Sequence, residues 1–326
     1  PLINKLVSTV DLSMPSRGLP VQFVRTYLLD STFNGSLGYG WTHNYRMRIL
    51  ETQTSVIDEA SGDLQKVSGL VQLFNADGTS TYFQPNFDGS YQSPQGDFRT
   101  LTKASNGVYT LTGKFGTRFY FSSNGKPFRI EDRNGNAVTL RYDDADILTV
   151  VVDESGQATT FTYNTKGQIA AISDPAGRAV TYVYDAADNL VEVTDIDGTV
   201  TVYTYDAQHN LTTVTDPLGN RTFFTIDNED RLLSVSGEGG ANKQIFQYAT
   251  PTANQMTVTD ALGNTTVITY NNNALVTRVE DALGNASIFT YDAVLNLASA
   301  TDANGNQSLF NYDTRGNLVS NTDGAG

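Results

Sequence analysis

The sequence contains no cysteine, so disulfide staples, thiolate nucleophiles and cysteine-based metal sites are excluded. It has two histidines, His43 and His209, and neither has a His or Cys partner at metal-ligand spacing. No run of about 18 apolar residues reads as a transmembrane helix, and no secretory signal peptide is recognisable. Basic residues are outnumbered, with 21 Lys and Arg against 35 Asp and Glu, a net charge of −14. That sign opposes docking on a nucleic-acid backbone or insertion at an anionic membrane surface. It fits a soluble, self-repelling surface. Hydrophobic content of 39% and charged content of 17% are low for a compact enzyme. The chain opens on Pro1-Leu2-Ile3 without Met and stops at Gly326, so a piece of a longer protein is expected.

Gly, Asn, Asp and Thr are abundant, and the aromatics are mostly Tyr (17) and Phe (16). Aromatic and β-branched residues suit a pleated surface, and Gly, Asn and Asp accept turn dihedrals. These residues are phased. Asp132, Asp153, Asp174, Asp195 and Asp216 stand 21 residues apart, and Asp260, Asp281, Asp302 and Asp323 resume the spacing. Three residues after each comes glycine: Gly135, Gly156, Gly177, Gly198, Gly219, Gly263, Gly284, Gly305 and Gly326. Ten residues after come Tyr142, Tyr163, Tyr184, Tyr205, Tyr270, Tyr291 and Tyr312, with Ile226 breaking the column.

The unit reads as turn, strand, turn, strand. Asp302 to Asn306 is a turn, in which Asp accepts backbone hydrogen bonds and Gly or Asn tolerates positive φ. Thr201 to Tyr205 alternates with period two, a strand signal, and Tyr312 to Asn317 is the second turn. A leucine-rich repeat has a similar period but needs a helical return, and no helical stripe is present. An isolated hairpin is marginal in water, so neighbours must stack. The pairs Phe161/Tyr163, Tyr182/Tyr184, Phe289/Tyr291 and Phe310/Tyr312 are expected to lie beside their equivalents as an aromatic ladder, each contact contributing about 0.2–1 kcal/mol. A sugar-stacking surface is the alternative use of that ladder. Between Gly237 and Asp260 each half-repeat gains one residue, which predicts a corner or a raised loop near Gly237–Asn254.

Upstream, Leu73 to Phe83 reads as a hairpin with an Asp77-Gly78 turn, and Phe119-Tyr120-Phe121 as a degenerate repeat entering the array. Residues 1–65 differ, with short strands expected between Gly/Pro loops. Together these features predict an all-β fold of tandem 21-residue β-hairpin repeats stacked into a long curled or spiralling antiparallel sheet. The expected division is a leader at 1–65, irregular hairpins at 66–131, and repeats at 132–326 that are irregular at 237–259.

The core Tyr-Asp-x-x-Gly-Asn-Leu, best seen at Tyr312–Leu318, resembles the RHS/YD-repeat proteins. Arg17-Gly18-Leu19-Pro20, Arg25-Thr26-Tyr27 and Gly38-x-Gly-Trp41 resemble the leader domain that precedes such repeats. The resemblance covers nearly the whole chain. It implies membership among bacterial Rhs and wall-associated toxins, toxin-complex B/C components and teneurins. It also implies a sheet that spirals into a hollow shell around a C-terminal effector, acting outside the producing cell. Nine phased units make about 18 strands, or ~85 Å of sheet at ~4.8 Å per strand. Closed into a ring that is only ~27 Å across, too narrow for a folded domain, so this segment alone is not expected to form a complete cocoon.

Other chemistry is weaker. Asp174-Pro175-Ala176-Gly177 and Asp216-Pro217-Leu218-Gly219 match the Asp-Pro-x-Gly of the family's self-cleaving boundary, but both are in phase with ordinary turns. Asp195 to Gly198, Asp143 to Asp146 and Asp227 to Asp230 offer oxygen ligands for Ca²⁺, yet lack the EF-hand glycine position. A recurring column is what structure demands, whereas catalysis needs a unique cluster. Tyr39, Trp41 and Tyr45 could stack on a sugar or form a small leader core. The favoured expectation is a non-enzymatic, cofactor-free structural scaffold, part of a shell on a secreted or surface protein. Its partners would be the rest of its own polypeptide, with an enclosed effector. A carbohydrate-binding adhesin surface and a head-to-tail β-filament are the alternatives.

Overall fold

The computed structural model describes residues 5–16, 18–30, 32–57, 64–86 and 90–324. Arg17 of the leader motif and Gly326 of the glycine column lie outside the described residues. Among those described the chain is all-β, apart from one turn of 3-10 helix at Glu238–Gly240.

The phased array folds as its turn chemistry dictates. In a regular unit, two five-residue turns separate a six-residue strand such as Ala179–Tyr184 from a five-residue strand such as Leu190–Thr194. In the first turn of the unit at Asp302, the Asp302 N–H donates to the Asn306 carbonyl (2.9 Å), and the Gly305 N–H donates to the Asp302 carbonyl (3.1 Å). The Asp302 carboxylate accepts the N–H groups of Asn304 and Asn306 and the Asn306 side-chain amide, each at 2.9 Å. Gly305 has φ +88°, completing a type I turn with a G1 bulge. Asp132, Asp216, Asp260 and Asp281 repeat the arrangement with Asn136, Asn220, Asn264 and Asn285. At Asp174 the partner is Arg178 (2.7 Å).

The second turn places non-glycine residues in the same left-handed position, among them Asp188, His209, Ala274 and Leu295 at φ +59° to +69°. Left-handed backbone costs an L-residue about 1–2 kcal/mol, partly offset by the entropy glycine loses on folding. Ala274→Gly, at an exposed site, is therefore expected to stabilise the chain by about 0.5–1 kcal/mol. A raised urea midpoint with unchanged slope checks this, and an unchanged or lower midpoint contradicts it.

The turn acids also set an acid limit. The partner Asn side chains, with the turn N–H groups, hold Asp216, Asp260, Asp281, Asp302 and Asp313 below the ordinary 3.8. Because the folded-state values are depressed, this stabilisation is fully present above about pH 4 and is lost as pH falls through the folded values. The melting temperature should therefore hold from neutral pH to about 5 and fall below about 4. A flat profile down to pH 2 would contradict this.

The strands join into one 22-stranded antiparallel sheet in sequence order, from Thr100–Lys103 to Leu318–Thr322. Pairing thus begins upstream of the phased Asp column, with Arg118–Phe121 inside the sheet. Each regular hairpin carries one bulge beyond its second turn: Thr162 pairs with Ala171 and Tyr163 with Ile169, skipping Ala170. This turns Ile169 and Ile172 to the same buried face. A bulge bends and twists its strand, so one bulge per hairpin spreads curvature along the whole sheet. The extra residues at 237–259 instead lengthen two turns. One holds the 3-10 helix, the other follows Tyr248, and the hairpin Gln244–Tyr248/Gln255–Thr259 pairs without a bulge. The added residues thus take the form of two six-residue turns where the regular unit has five.

The aromatic ladder takes a different form from the one expected. In a meander, equivalent strands are separated by a return strand, so Phe161 faces Ile172, Tyr182 faces Val193 and Phe310 faces Asn321. The column tyrosines instead reach the first residue of the adjacent return strand with their hydroxyls. Tyr142, Tyr163, Tyr184, Tyr205 and Tyr291 donate to the carbonyls of Pro127, Leu148, Ile169, Leu190 and Val276 at 2.6–2.8 Å. Each ties the end of its strand to the second turn of the hairpin before it.

The sheet curls through a full coil. The Gln95 side chain donates to the Ala293 carbonyl, and Lys114 to the Gly316 carbonyl. The turn holding Lys114 and the turn holding Gly316 are separated by nineteen strands of the sheet. At ~4.8 Å per strand the coil is ~90 Å around, close to the ring expected from the repeats. Its concave face is occupied. A three-stranded leader sheet (Lys5–Met14, Val21–Leu28, Trp41–His43) packs against it. Phe23, Tyr27, Leu37 and Trp41 share one core with Phe161, Ile172, Tyr182, Leu190 and Tyr203. So narrow a coil does hold folded structure, because the enclosed element is a small sheet and not a separate globule. A second core, with Ile49, Leu73, Phe83, Leu101 and Phe121, joins the sheet at 48–92 to the first strands of the array.

Candidate functional site

The residues that converge most closely lie where the leader meets the array. In the strand Val21–Leu28 the alternation puts Arg25 on the same inward face as Phe23 and Tyr27. Arg25 is 1% exposed and Asp11 6%. The guanidinium donates to both Asp11 carboxylate oxygens (2.8 and 3.0 Å) and to the Tyr203 hydroxyl (2.9 Å). Tyr182 donates its hydroxyl to the same carboxylate at 2.8 Å. The guanidinium also lies 4.5 Å from the Trp41 ring centre, a cation–π contact. Burial alone would push the Arg25 pKa down. Asp11, with Tyr203 and Tyr182, more than offsets this and holds it above its usual value. Burial raises the Tyr182 hydroxyl well above its usual range. This is a satisfied, dry ion pair that ties residues 11 and 25 to residues 182 and 203.

Neighbouring contacts extend the seam. The Trp41 indole N–H donates to the Tyr205 hydroxyl (2.8 Å), and the Tyr27 hydroxyl donates to the His209 carbonyl (3.0 Å). The Tyr39 ring stacks on His209 at 3.7 Å between centres. Gly38, at φ +81°, lets the backbone close on the array, where a Cβ would stand 2.3 Å from the Asp188 carbonyl oxygen.

These placements decide several expectations. Trp41 is fully buried and Tyr45 nearly so, so neither presents a ring face on which a sugar could stack. Tyr39 is half-buried, with a face taken by His209. The Asp and Gly columns, from Asp132 and Gly135 to Asp302 and Gly305, build turns in the same manner along the array. Asp174-Pro175-Ala176-Gly177 folds as one of those turns. Among the described residues no group of three or more acidic or histidine side chains is arranged to hold a metal ion. The Asp197 carboxylate accepts from the Thr199 N–H and hydroxyl instead. Asp11, Arg25, Tyr27, Tyr182 and Tyr203 were not singled out by sequence reasoning for a shared role. The available signal was an arginine on the apolar face of an alternating strand, which requires a buried partner.

With this geometry in place, family comparisons are informative. The RHS Repeat model matches residues 142–179, 163–200, 184–221 and 291–326. The chain is an RHS/YD-repeat protein. A domain of unknown function, DUF6531, matches residues 4–83, the part of this RHS protein that packs into and beside the coil. Curated relatives include the tRNA3(Ser)-specific nuclease WapA of Bacillus spizizenii, 30% identical over 147 residues. The tRNA nuclease WapA of Bacillus subtilis strain 168 is 29% identical over the same length. Each alignment covers 45% of this chain, which spans only 6% of those relatives. Similar solved structures include a TcdB2-TccC3 crystal structure (TM-score 0.41, 10% identity, 93% of this chain and 22% of that one). Another is the Tc holotoxin pore of Photorhabdus luminescens (TM-score 0.41, 11% identity, 96% and 22%). No helix among the described residues is long and apolar enough to cross a membrane.

Proposed function

We propose that this RHS segment is a structural wall, the opening coil of a longer shell, with the leader sheet as the core on which that coil is wound. The observation that carries the reading is the Asp11–Arg25–Tyr182–Tyr203 cluster, which joins residues far apart in sequence inside one buried seam. The turn acids support it, because their oxygens are spent on local backbone. The last strand, Leu318–Thr322, is exposed along its length. Leu218, Leu262 and Leu283 stand 87–88% exposed at first-turn tips. Lys114, at the equivalent tip, already contacts the following coil at Gly316. Membership of a secreted or surface protein, with an effector enclosed by the complete shell, is the cellular role we infer. The exposed final strand also favours a second reading, edge-to-edge self-association.

Limited proteolysis of the intact chain with a broad-specificity protease tests the wall. A resistant fragment holding leader and array together is expected, and rapid cutting between most repeats would overturn it. Light scattering across salt concentrations separates the second reading: growth of assemblies as salt screens the −14 charge supports it, and monomers throughout exclude it.

A further inference from the structure

One cleft on this acidic molecule is lined by cations. A cavity of about 440 Å³ lies between the leader and the opening repeats, within the roughly 300–1,000 Å³ range of small-molecule sites. Met47, Leu148 and Tyr163 form part of its apolar wall, and Arg46, Arg48 and Lys126 contribute its positive charge. Lys126 is paired with Asp146 at 3.2 Å. Arg46 and Arg48 have no carboxylate within ion-pair distance among the described residues. The Arg46 guanidinium lies 4.0 Å from the Phe33 ring centre, on a residue that is exposed. Desolvation, and then Arg48 beside it, lower its pKa. Two like charges left adjacent are unfavourable, and an anion between them relieves the repulsion.

The second, independent observation is His43, which also lines the cavity. It is 6% exposed, with one face stacked on Phe23 at 5.1 Å. Its Nε2 lies 3.2 Å from the Ser36 hydroxyl, and its Nδ1 is buried with no hydrogen-bond partner. Burial, and then Arg46, push its pKa down to about 3, so the ring is neutral at physiological pH. The contact with Ser36 can run in either direction, and in either tautomer the buried Nδ1 is left without a hydrogen-bond partner. Such a buried, unsatisfied ring nitrogen is costly inside a protein.

We propose that this cleft binds a carboxylate carried on an apolar or aromatic body. The two guanidiniums take the carboxylate, Leu148 and Tyr163 cover the body, and the neutral His43 ring forms part of the wall. The chemistry fits either a free organic acid or an acidic side chain beside an apolar one in a polypeptide segment.

Titration of the intact chain by calorimetry and NMR tests it with three probes: phenylacetate, its neutral counterpart 2-phenylethanol, and the capped dipeptide acetyl-Glu-Phe-amide. Saturable binding of at least one acid is expected, with the alcohol about tenfold weaker or more, as loss of charge-assisted hydrogen bonds implies. Tighter binding of phenylacetate assigns a free acid, and tighter binding of the dipeptide assigns a polypeptide segment. Arg48→Gln, a surface change that leaves the core intact, should weaken the acid about tenfold, as should Arg46→Gln. Equal affinity for acid and alcohol overturns the proposal. So does the absence of saturation below about 10 mM, a floor set by even modest small-ligand affinity. Unchanged affinity in both arginine variants overturns it as well.

Discussion

Arg25→Ala is expected to destabilise the chain by about 3–5 kcal/mol, because it strands the Asp11 carboxylate in a dry seam. The ion pair itself need not be strongly stabilising, since desolvating two charges offsets most of their attraction. The loss arises from breaking it. Tyr182 and Tyr203 would remain as dipoles around an unpaired anion, with the Trp41 cation–π contact gone. The double variant Arg25→Met/Asp11→Leu, which removes both charges and keeps apolar volume, should recover most of the stability. Urea unfolding of the wild type, both single variants and the double variant measures the coupling. A loss below about 1 kcal/mol for Arg25→Ala would mean that water reaches the pair, contrary to its burial.

Trp41→Ala is expected to cost about 3–5 kcal/mol, the range for deleting a large buried aromatic. It empties the space between Tyr27 and Tyr203, whose rings meet Trp41 edge-on at 5.3 and 5.2 Å. It also removes the donor that binds the Tyr205 hydroxyl. The effect should not add fully to that of Arg25→Ala, because the two side chains touch. The same variant tests the carbohydrate alternative. A Trp41→Ala protein of unchanged stability that loses glycan retention would make the indole a sugar platform; a large stability loss makes it core.

The hairpins were legible because turn and strand chemistry is local. An Asp that accepts from N–H groups two and four residues on, and a glycine at positive φ, act within five residues and repeat every 21. The tyrosine column was legible as a strand position but not as a hydroxyl tether. Its acceptor is a backbone carbonyl fifteen residues earlier, and carbonyls carry no sequence signature. The bulges were also hidden, since one in every regular hairpin leaves the period unchanged and the irregular repeat drew attention instead. The seam was the least legible part. Arg25 and Tyr203 are 178 residues apart, and only the coiling of the sheet brings them together. Trp41, Tyr39 and Tyr45 read as either a small leader core or a sugar-stacking cluster, because the array that buries Trp41 and Tyr45 begins more than fifty residues later. The cleft at His43 and Arg46 requires that same coiling and could not be anticipated.

Native-state hydrogen exchange across the intact chain tests the central claim most directly. If the array is wound on the leader, amides of strands 158–215 should be the most protected, together with those of 21–28 and 41–43. Strands 286–322, whose inner face the leader does not cover, should exchange much faster. Arg25→Ala should lower protection in 179–205 as well as in the leader. Equal protection from the first repeat to the last, or a leader that exchanges independently of residues 158–215, would contradict the account.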